Sequence, residues 1–290
     1  MNAAVVIPTM NAERWLGRQL EALINQTVKA EILVIDSSST DATPQIAARF
    51  AERVRLILIP QNRFDHGGTR DFALRQTKGD FVLFLTQDAV PANERYIENL
   101  LSVFSDEKVA AVFGRQIAWP DAPEYEKLTR LFNYPETGRV WRKEDIARYG
   151  VKSYFFSNAS SAFRRTAYEA VGGFDVPITS NEDMMIAAKL LKAGYSLAYQ
   201  PEAAVWHSHK HSLLEEYRRN IRIGNVMNQY QTRLTGINTG EEGLRMVRFV
   251  GGALLKQGKI IQLFIFLTHA AFRYLGFQTG KRQKSSGGSR

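Results

Sequence analysis

Cysteine is absent from this 290-residue chain, which excludes a disulfide framework and any thiolate metal site and agrees with a reducing compartment. No G-x-G-x-x-G follows the first apolar strand and no G-x-x-x-x-G-K-[ST] occurs anywhere, so NAD-dependent and P-loop chemistry are disfavoured. No uninterrupted run reaches the ~20 apolar residues of a spanning helix. Met1-Asn2 leads straight into an apolar strand, which leaves no room for a signal peptide. Acidic residues are scarce at the far end. Residues 241–290 hold nine Lys or Arg against Glu241 and Glu242, a net +7 of the chain's +9. The remainder is close to neutral, so a whole-surface nucleic-acid footprint is disfavoured and a basic C-terminal contact surface is expected.

What is present is the composition of a globular protein, 44% hydrophobic and 23% charged, long enough for one large domain or two modest ones. Ala3–Pro8, Glu31–Ile35 and Arg55–Pro60 read as apolar strands. Helical periodicity separates them, in Trp15, Leu16, Leu20, Leu23 and Ile24 and again up to about Arg53. Strands alternating with helices imply βαβ units and a mostly parallel sheet. Phe81-Val82-Leu83-Phe84-Leu85 is a strand buried on both faces, since a solvated strand would alternate. It ends at Thr86-Gln87-Asp88, and Pro91 blocks its continuation. Asp88 therefore stands just past the carboxyl end of a central strand, where open α/β sheets place ligands. Taken alone, it is better read as capping a turn or the helix that begins near Asn93.

Between the third and fourth strands, Asp65-His66-Gly67-Gly68-Thr69-Arg70 opens a helix. A cation in a first helical turn opposes the dipole, so Arg70 makes sense beside an anion; the bland reading is a solvated arginine. Val109–Phe113 is a further strand. Residues 119–150, with Trp119, Pro120, Pro123 and Pro135 among many charges, read as an irregular excursion over the site. Phe155–Phe163 resumes a strand lined by small polar residues. Asn181-Glu182-Asp183 opens an apolar-periodic helix, where an acid is often only a cap. Ser196–Gln200 and Ala203–His207 are strand-like and deliver His207, His209 and His211. Residues 211–234 and 244–277 are helical, with a basic stripe whose partner is a membrane surface, a second subunit or the catalytic domain. Residues 281–290 are Gly/Ser/Lys-rich and expected to be disordered.

The pieces VVIPTMN, VIDSSSTD, FDHGGTRD, LTQDAVP, FSNASSAFRRTAYEAVGGFD, NEDMMIAAKLLKAGY and AVWHSH run in this order over roughly the first 210 residues. Together they resemble the family 2 glycosyltransferases, and among these the bacterial rhamnosyltransferases. The resemblance implies an α/β fold of GT-A type: a mostly parallel nucleotide-binding sheet flanked by helices, with a helical C-terminal extension. It divides the chain into a catalytic domain, 1–210, a helical region, 211–280, and the tail. It implies a nucleotide-sugar site from Pro8, Thr9, Asn11 and Asp36, with Asp36 near the base. Gly68 and Arg70 would lie near the phosphates, and Gln87, Asp88, Asn158 and Glu182 would join them. Asp88 and His207 would hold a divalent metal, Mg²⁺ or Mn²⁺, and Asp183 would be the catalytic base. In the family's DxD-type motif only Asp88 is acidic here, the first position being Thr86.

General chemistry agrees with these roles. Diphosphates are handled by a hard ion with few protein ligands, and inversion needs one carboxylate to take the acceptor's proton. The expected activity is inverting, metal-dependent transfer of L-rhamnose from dTDP-L-rhamnose to a lipid-linked surface-polysaccharide acceptor. The expected setting is cytoplasmic, peripheral on the inner membrane, with a homo-oligomer open. The alternatives are a sugar-phosphate nucleotidyltransferase, whose Gly-Gly-x-Arg loop would follow the first strand instead of the third, and a non-enzymatic membrane-bound module.

Overall fold

The computed structural model describes residues 2–178, 180–208, 211–230 and 239–283, residues 239 and 240 by their backbone alone. Nine strands and eleven α-helices are found among them. In chain order they are β1 (Ala3–Thr9), α1 (Leu16–Ile24), β2 (Glu31–Asp36), α2 (Thr43–Ala48), β3 (Val54–Leu58), α3 (His66–Arg75), β4 (Phe81–Leu85), β5 (Val90–Pro91) and α4 (Tyr96–Ser102). β6 (Val109–Ile117), α5 (Glu124–Asn133), β7 (Arg139–Trp141), α6 (Asp145–Tyr149), β8 (Ser160–Arg164), α7 (Arg165–Ala170) and α8 (Glu182–Lys192) follow. The chain closes with β9 (Ser196–Trp206), α9 (Leu213–Gln229), α10 (Thr239–Lys256) and α11 (Ile260–Arg282).

The strands form one sheet in the order β3-β2-β1-β4-β8-β6-β9-β5, with β7 paired to β9. β1, β2, β3 and β4 are mutually parallel, and β8 runs against both β4 and β6. β6 therefore points the same way as β4, and β9 is parallel to β6. One edge of the sheet thus gathers the ends of β1, β2, β4, β6 and β9 and the start of β8. Leu85 pairs with Ser160 and Ile117 with Trp206 at that edge.

β4 is buried on both faces, as its unbroken apolar run requires. Phe81, Leu83 and Leu85 pack with Leu16, Leu20 and Leu100 of α1 and α4. Val82 and Phe84 pack on the other side with Leu74 of α3 and Ile186 of α8.

Several expectations are corrected. The 119–150 excursion is largely ordered: Pro123 precedes α5, Glu124 and Glu126 favour its first turn, and Leu128 packs on Val250, Leu254 and Phe266 of the C-terminal helices. Its aromatic and charged residues hid a narrow apolar stripe. β8 starts at Ser160, later than expected, because residues 155–157 are irregular and Asn158-Ala159 form a turn. The two strand-like pieces after Gly194 are one strand, β9, with an irregular register to β6 at Gly114/Arg115.

The 244–277 segment is two helices, broken at Gly258, whose φ of 67° suits glycine. α11 continues through Lys281 and Arg282, two residues into the tail; residues 284–290, like His209 and residues 231–238, lie outside the described residues. α11 is also long and apolar enough to cross a membrane by length and composition, although no unbroken apolar run is. His269 and Arg273 interrupt the run without removing its apolar excess. α11 packs closely on α9, where a Cβ on Gly276 or Gly280 would strike the α9 backbone. Glu216 caps this contact by pairing with Arg273.

Candidate active site

The loops at the gathered strand ends are stitched together by side chains. At the end of β1, Thr9 Oγ1 donates to Asp36 Oδ1 (3.0 Å), and just beyond it Asn11 Oδ1 accepts from Thr40 N (2.9 Å). Asp36 is fully buried, its second oxygen accepting from Ser39 N (2.9 Å). Pro8 continues β1 in register with Ile35. Gln87 clasps Met10 both ways, accepting from its N (2.7 Å) and donating to its O (3.1 Å). Gln19, buried on α1, donates to Thr86 O and Ala89 O, both at 2.7 Å, and so fixes the backbone around Asp88.

Asp88, Arg70, Asn158, Glu182, Asp183 and His207 line one cavity of about 360 Å³ at this edge. Pro8, Thr9, Asn11 and Asp36 do not line it. They lie on the neighbouring β1 and β2 ends, joined to it through the Gln87–Met10 clasp.

His207 Nε2 lies 3.3 Å from Asp88 Oδ1. Gln116, near the end of β6, decides which nitrogen carries the proton. Arg130 Nη1 can only donate, and it meets Gln116 Oε1 at 2.5 Å. The same oxygen accepts from His207 Nδ1 at 2.7 Å, so the proton sits on Nδ1 and Nε2 is the basic nitrogen turned to Asp88. Gln116 Nε2 donates to Tyr134 Oη (2.6 Å) and Ser157 Oγ (2.8 Å), which fixes the amide. Burial lowers the pKa of His207 and opposes a charged ring. Beside it, Trp206 stacks on Trp119 (5.5 Å) and Trp119 on Trp15 (5.3 Å).

Among the described residues, no three His, Asp or Glu side chains cluster to hold an ion alone. One carboxylate oxygen and one imidazole nitrogen at this spacing, beside the buried and unpartnered Thr86 Oγ1, fit an ion completed by water and phosphate oxygens.

Asp183 stands in the first turn of α8, where its Oδ1 accepts from Met184 N (2.8 Å) and Oδ2 from Asn158 N (3.3 Å). Burial, then the carboxylate of Glu182, push its pKa up to about 7, against those bonds and Arg70. A carboxylate poised there is suited to general-base work at neutral pH. Glu182 accepts from Asn158 Nδ2 (3.2 Å) and pairs with Arg70 Nη1 at 3.2 Å.

The anion expected at the α3 start is supplied by the protein itself. Asp65 caps the helix, accepting from Gly67 N (3.0 Å) and Gly68 N (2.7 Å), and Glu182 meets Arg70. Gly67 is needed for packing, since a Cβ there would lie 2.8 Å from Asp175 O.

The residues that sequence reading missed are Gln19, Gln116, Arg130, Tyr134, Arg219 and Arg222. The strand-end rule that selects Asp88 also applies to Gln116. Arg219 and Arg222, one turn apart on α9, reach the cavity only through helix packing.

The glycosyl transferase family 2 model matches residues 4–172, more than half of the chain. The chain belongs to this family. Two curated relatives cover it almost end to end. The O-antigen chain rhamnosyltransferase WbaN of Salmonella anatum is 39% identical over 97% of this chain and 90% of its own. The O-antigen chain rhamnosyltransferase RfbN of Salmonella typhimurium is 37% identical over 98% and 91%. In fold the chain resembles the mannosyltransferase PcManGT of Pyrobaculum calidifontis, solved with GDP-Man and Mn²⁺, with a TM-score of 0.69 at 18% identity over 96% of this chain and 86% of that one. It also resembles residues 1–349 of S. aureus TarS, solved with UDP-GlcNAc, with a TM-score of 0.61 at 17% identity over 88% and 73%. This family 2 member is therefore a glycosyltransferase with a GT-A fold, and the Asp88, Asp183 and His207 cavity is its candidate active site.

Proposed function

We propose that the protein is an inverting rhamnosyltransferase that uses dTDP-L-rhamnose and a divalent metal. The observation that carries the reading is the meeting of Asp88, His207 and Asp183 in one cavity. Similarity to two O-antigen rhamnosyltransferases over nearly the whole chain supports the sugar, and the Mn²⁺ complex of the mannosyltransferase supports the ion.

Asp88 and His207 would hold the ion, which when bound neutralises charge on the leaving diphosphate. Thr9, Asn11 and Asp36 form the nucleoside corner, and Gln87 couples that corner to Asp88. Asp183 accepts the proton of the acceptor hydroxyl as its oxygen bonds to the anomeric carbon. The anomeric carbon–oxygen bond to the diphosphate breaks on the opposite side, and the electron pair leaves with the nucleoside diphosphate. Arg70 takes part indirectly, by holding Glu182 and moderating the charge beside Asp183.

The acceptor in this reading is a lipid-linked glycan at an anionic membrane surface on the cytoplasmic side, with the catalytic part ending near residue 210. α10 and α11 expose Leu255, Ile261, Phe264, Tyr274 and Leu275, each more than half accessible. Arg245, Arg248, Lys256, Lys281 and Arg282 on the same two helices provide the matching charge.

A panel of nucleotide sugars, assayed for nucleotide release with and without lipid-linked acceptor and Mn²⁺, tests the proposal. Release from dTDP-L-rhamnose that depends on both acceptor and metal is expected. Turnover only with another donor, or undiminished by chelator, would overturn the corresponding part.

A further inference from the structure

Beside the catalytic cavity lies a second one of about 280 Å³, lined mainly by α5, α9 and α11. The two adjoin, with Arg130, Tyr134 and Arg219 lining both. Its far wall is α11, which contributes His269 and Arg273. The other face of the same helix carries Ile261, Phe264 and Leu275, which are 78%, 67% and 54% accessible. One helix thus separates an apolar outer surface from a polar cavity that adjoins the one holding Asp183.

The cavity's charge is only partly matched. Three arginines face Glu126 and Glu216, and Glu216 is already held by Arg273 through two bonds of 3.0 and 2.8 Å. Arg130 uses one Nη on Gln116. Arg219 makes no ion pair or hydrogen bond among the described residues. His269 stacks on Tyr125 at 5.9 Å, and its Nδ1 is buried with no hydrogen-bond partner. Burial and then Arg219 hold the pKa of nearby His211 down, consistent with cationic crowding. Forked guanidinium donors beside an unmatched ring nitrogen suit an anionic ligand with several acceptor oxygens. A neutral sugar would leave the arginine charge uncompensated.

We propose that this cavity is a diphosphate subsite that receives the diphosphate of a lipid-linked acceptor, the lipid leaving along the exposed face of α11. The inference rests on the membrane-facing acceptor proposed above, and it adds the group that the acceptor carries and the residues that meet it. Arg219 is the principal contact, Arg130 bridges the subsite to the metal-side histidine through Gln116, and His269 Nδ1 donates to a phosphate oxygen. The saccharide end then points past Arg130 and Tyr134 toward Asp183. The same chemistry has a second source, the nucleoside diphosphate of the donor, and the experiment separates the two.

Calorimetric titrations of the full-length protein with farnesyl diphosphate, farnesol and dTDP, the last with Mn²⁺, supply the test. Farnesyl diphosphate is expected to bind wild type at least tenfold more tightly than farnesol. Arg219→Gln should weaken farnesyl diphosphate by roughly tenfold or more, the scale of a lost charge-assisted contact, and weaken dTDP by a smaller factor. His269→Phe, which keeps a ring against Tyr125, should weaken it by a smaller factor. Equal binding of farnesol and farnesyl diphosphate would overturn the subsite, as would an Arg219→Gln protein with unaltered farnesyl diphosphate affinity. Loss of dTDP affinity alone would assign the arginine to the donor and overturn the acceptor assignment. Wild-type binding of dTDP without farnesyl diphosphate would overturn the subsite and leave the glycosyltransferase reading standing. Failure to bind dTDP would count against the donor reading instead.

Discussion

Arg70 and Glu182 form a buried ion pair, Nη1 to Oε1 at 3.2 Å, that joins the second turn of α3 to the first turn of α8. Removing one member of such a pair strands the other charge in the interior, which costs more than the pair itself contributes. Arg70→Ala is therefore expected to destabilise the protein by about 3–5 kcal/mol. The Arg70→Met, Glu182→Met double variant should be less destabilised than the single. Urea unfolding of the three proteins checks this, and additive losses would mean that the two side chains act independently.

The same cluster sets a pH dependence. A carboxyl works as a base only when ionised, and Asp183 is pushed up to about 7 by burial and by Glu182. kcat/KM should therefore fall tenfold per pH unit below about 7. Glu182→Gln removes the neighbouring negative charge, makes ionisation easier and should move the acid limb to lower pH. Initial rates from pH 5 to 9 read both; a limb that moved upward in Glu182→Gln would reverse the assigned electrostatics.

Gln116 fixes the proton on His207 Nδ1, because Arg130 leaves its oxygen no other orientation. Gln116→Leu should lower Mn²⁺ affinity by roughly 10–100-fold, the usual cost of a lost partner behind a metal ligand. Gln116→Glu, which keeps an acceptor oxygen, should retain most of it. Electron paramagnetic titration of Mn²⁺ measures the difference; equal affinities in wild type and Gln116→Leu would remove Gln116 from the account.

The exposed face of α11 predicts binding to anionic vesicles. Ile261→Asp with Phe264→Asp should abolish flotation, and wild-type flotation should weaken at high salt, where surface charge is screened. Unchanged flotation, with a change in oligomeric state instead, would assign this face to a second subunit.

Much of this arrangement is legible in the residues. The two-faced burial of Phe81–Leu85 follows from its unbroken apolar run, and the strand-end positions of Asp36 and Asp88 follow from βαβ order. α5 was not legible, because its buried stripe faces α10 and α11, far along the chain, and its surroundings are aromatic and charged. The pairing of Arg70 with Glu182 was not legible either. A cation at a helix start calls for an anion, but the pattern does not say whether ligand or protein provides it. Gln116 lies on β6, whose direction in the sheet is known only once β8 is seen running against β4.

The central claim assigns proton transfer to Asp183 and donor binding to Asp88. Calorimetric titration of dTDP with and without Mn²⁺, beside turnover with acceptor, tests it most directly. Asp183→Asn should lose roughly 10²–10⁴-fold in turnover, the range for general-base catalysis, and keep its affinity for dTDP. Asp88→Asn should lose the metal-dependent part of that affinity, and added Mn²⁺ should restore some of it. Loss of dTDP binding in Asp183→Asn with loss of turnover alone in Asp88→Asn would contradict the assignment.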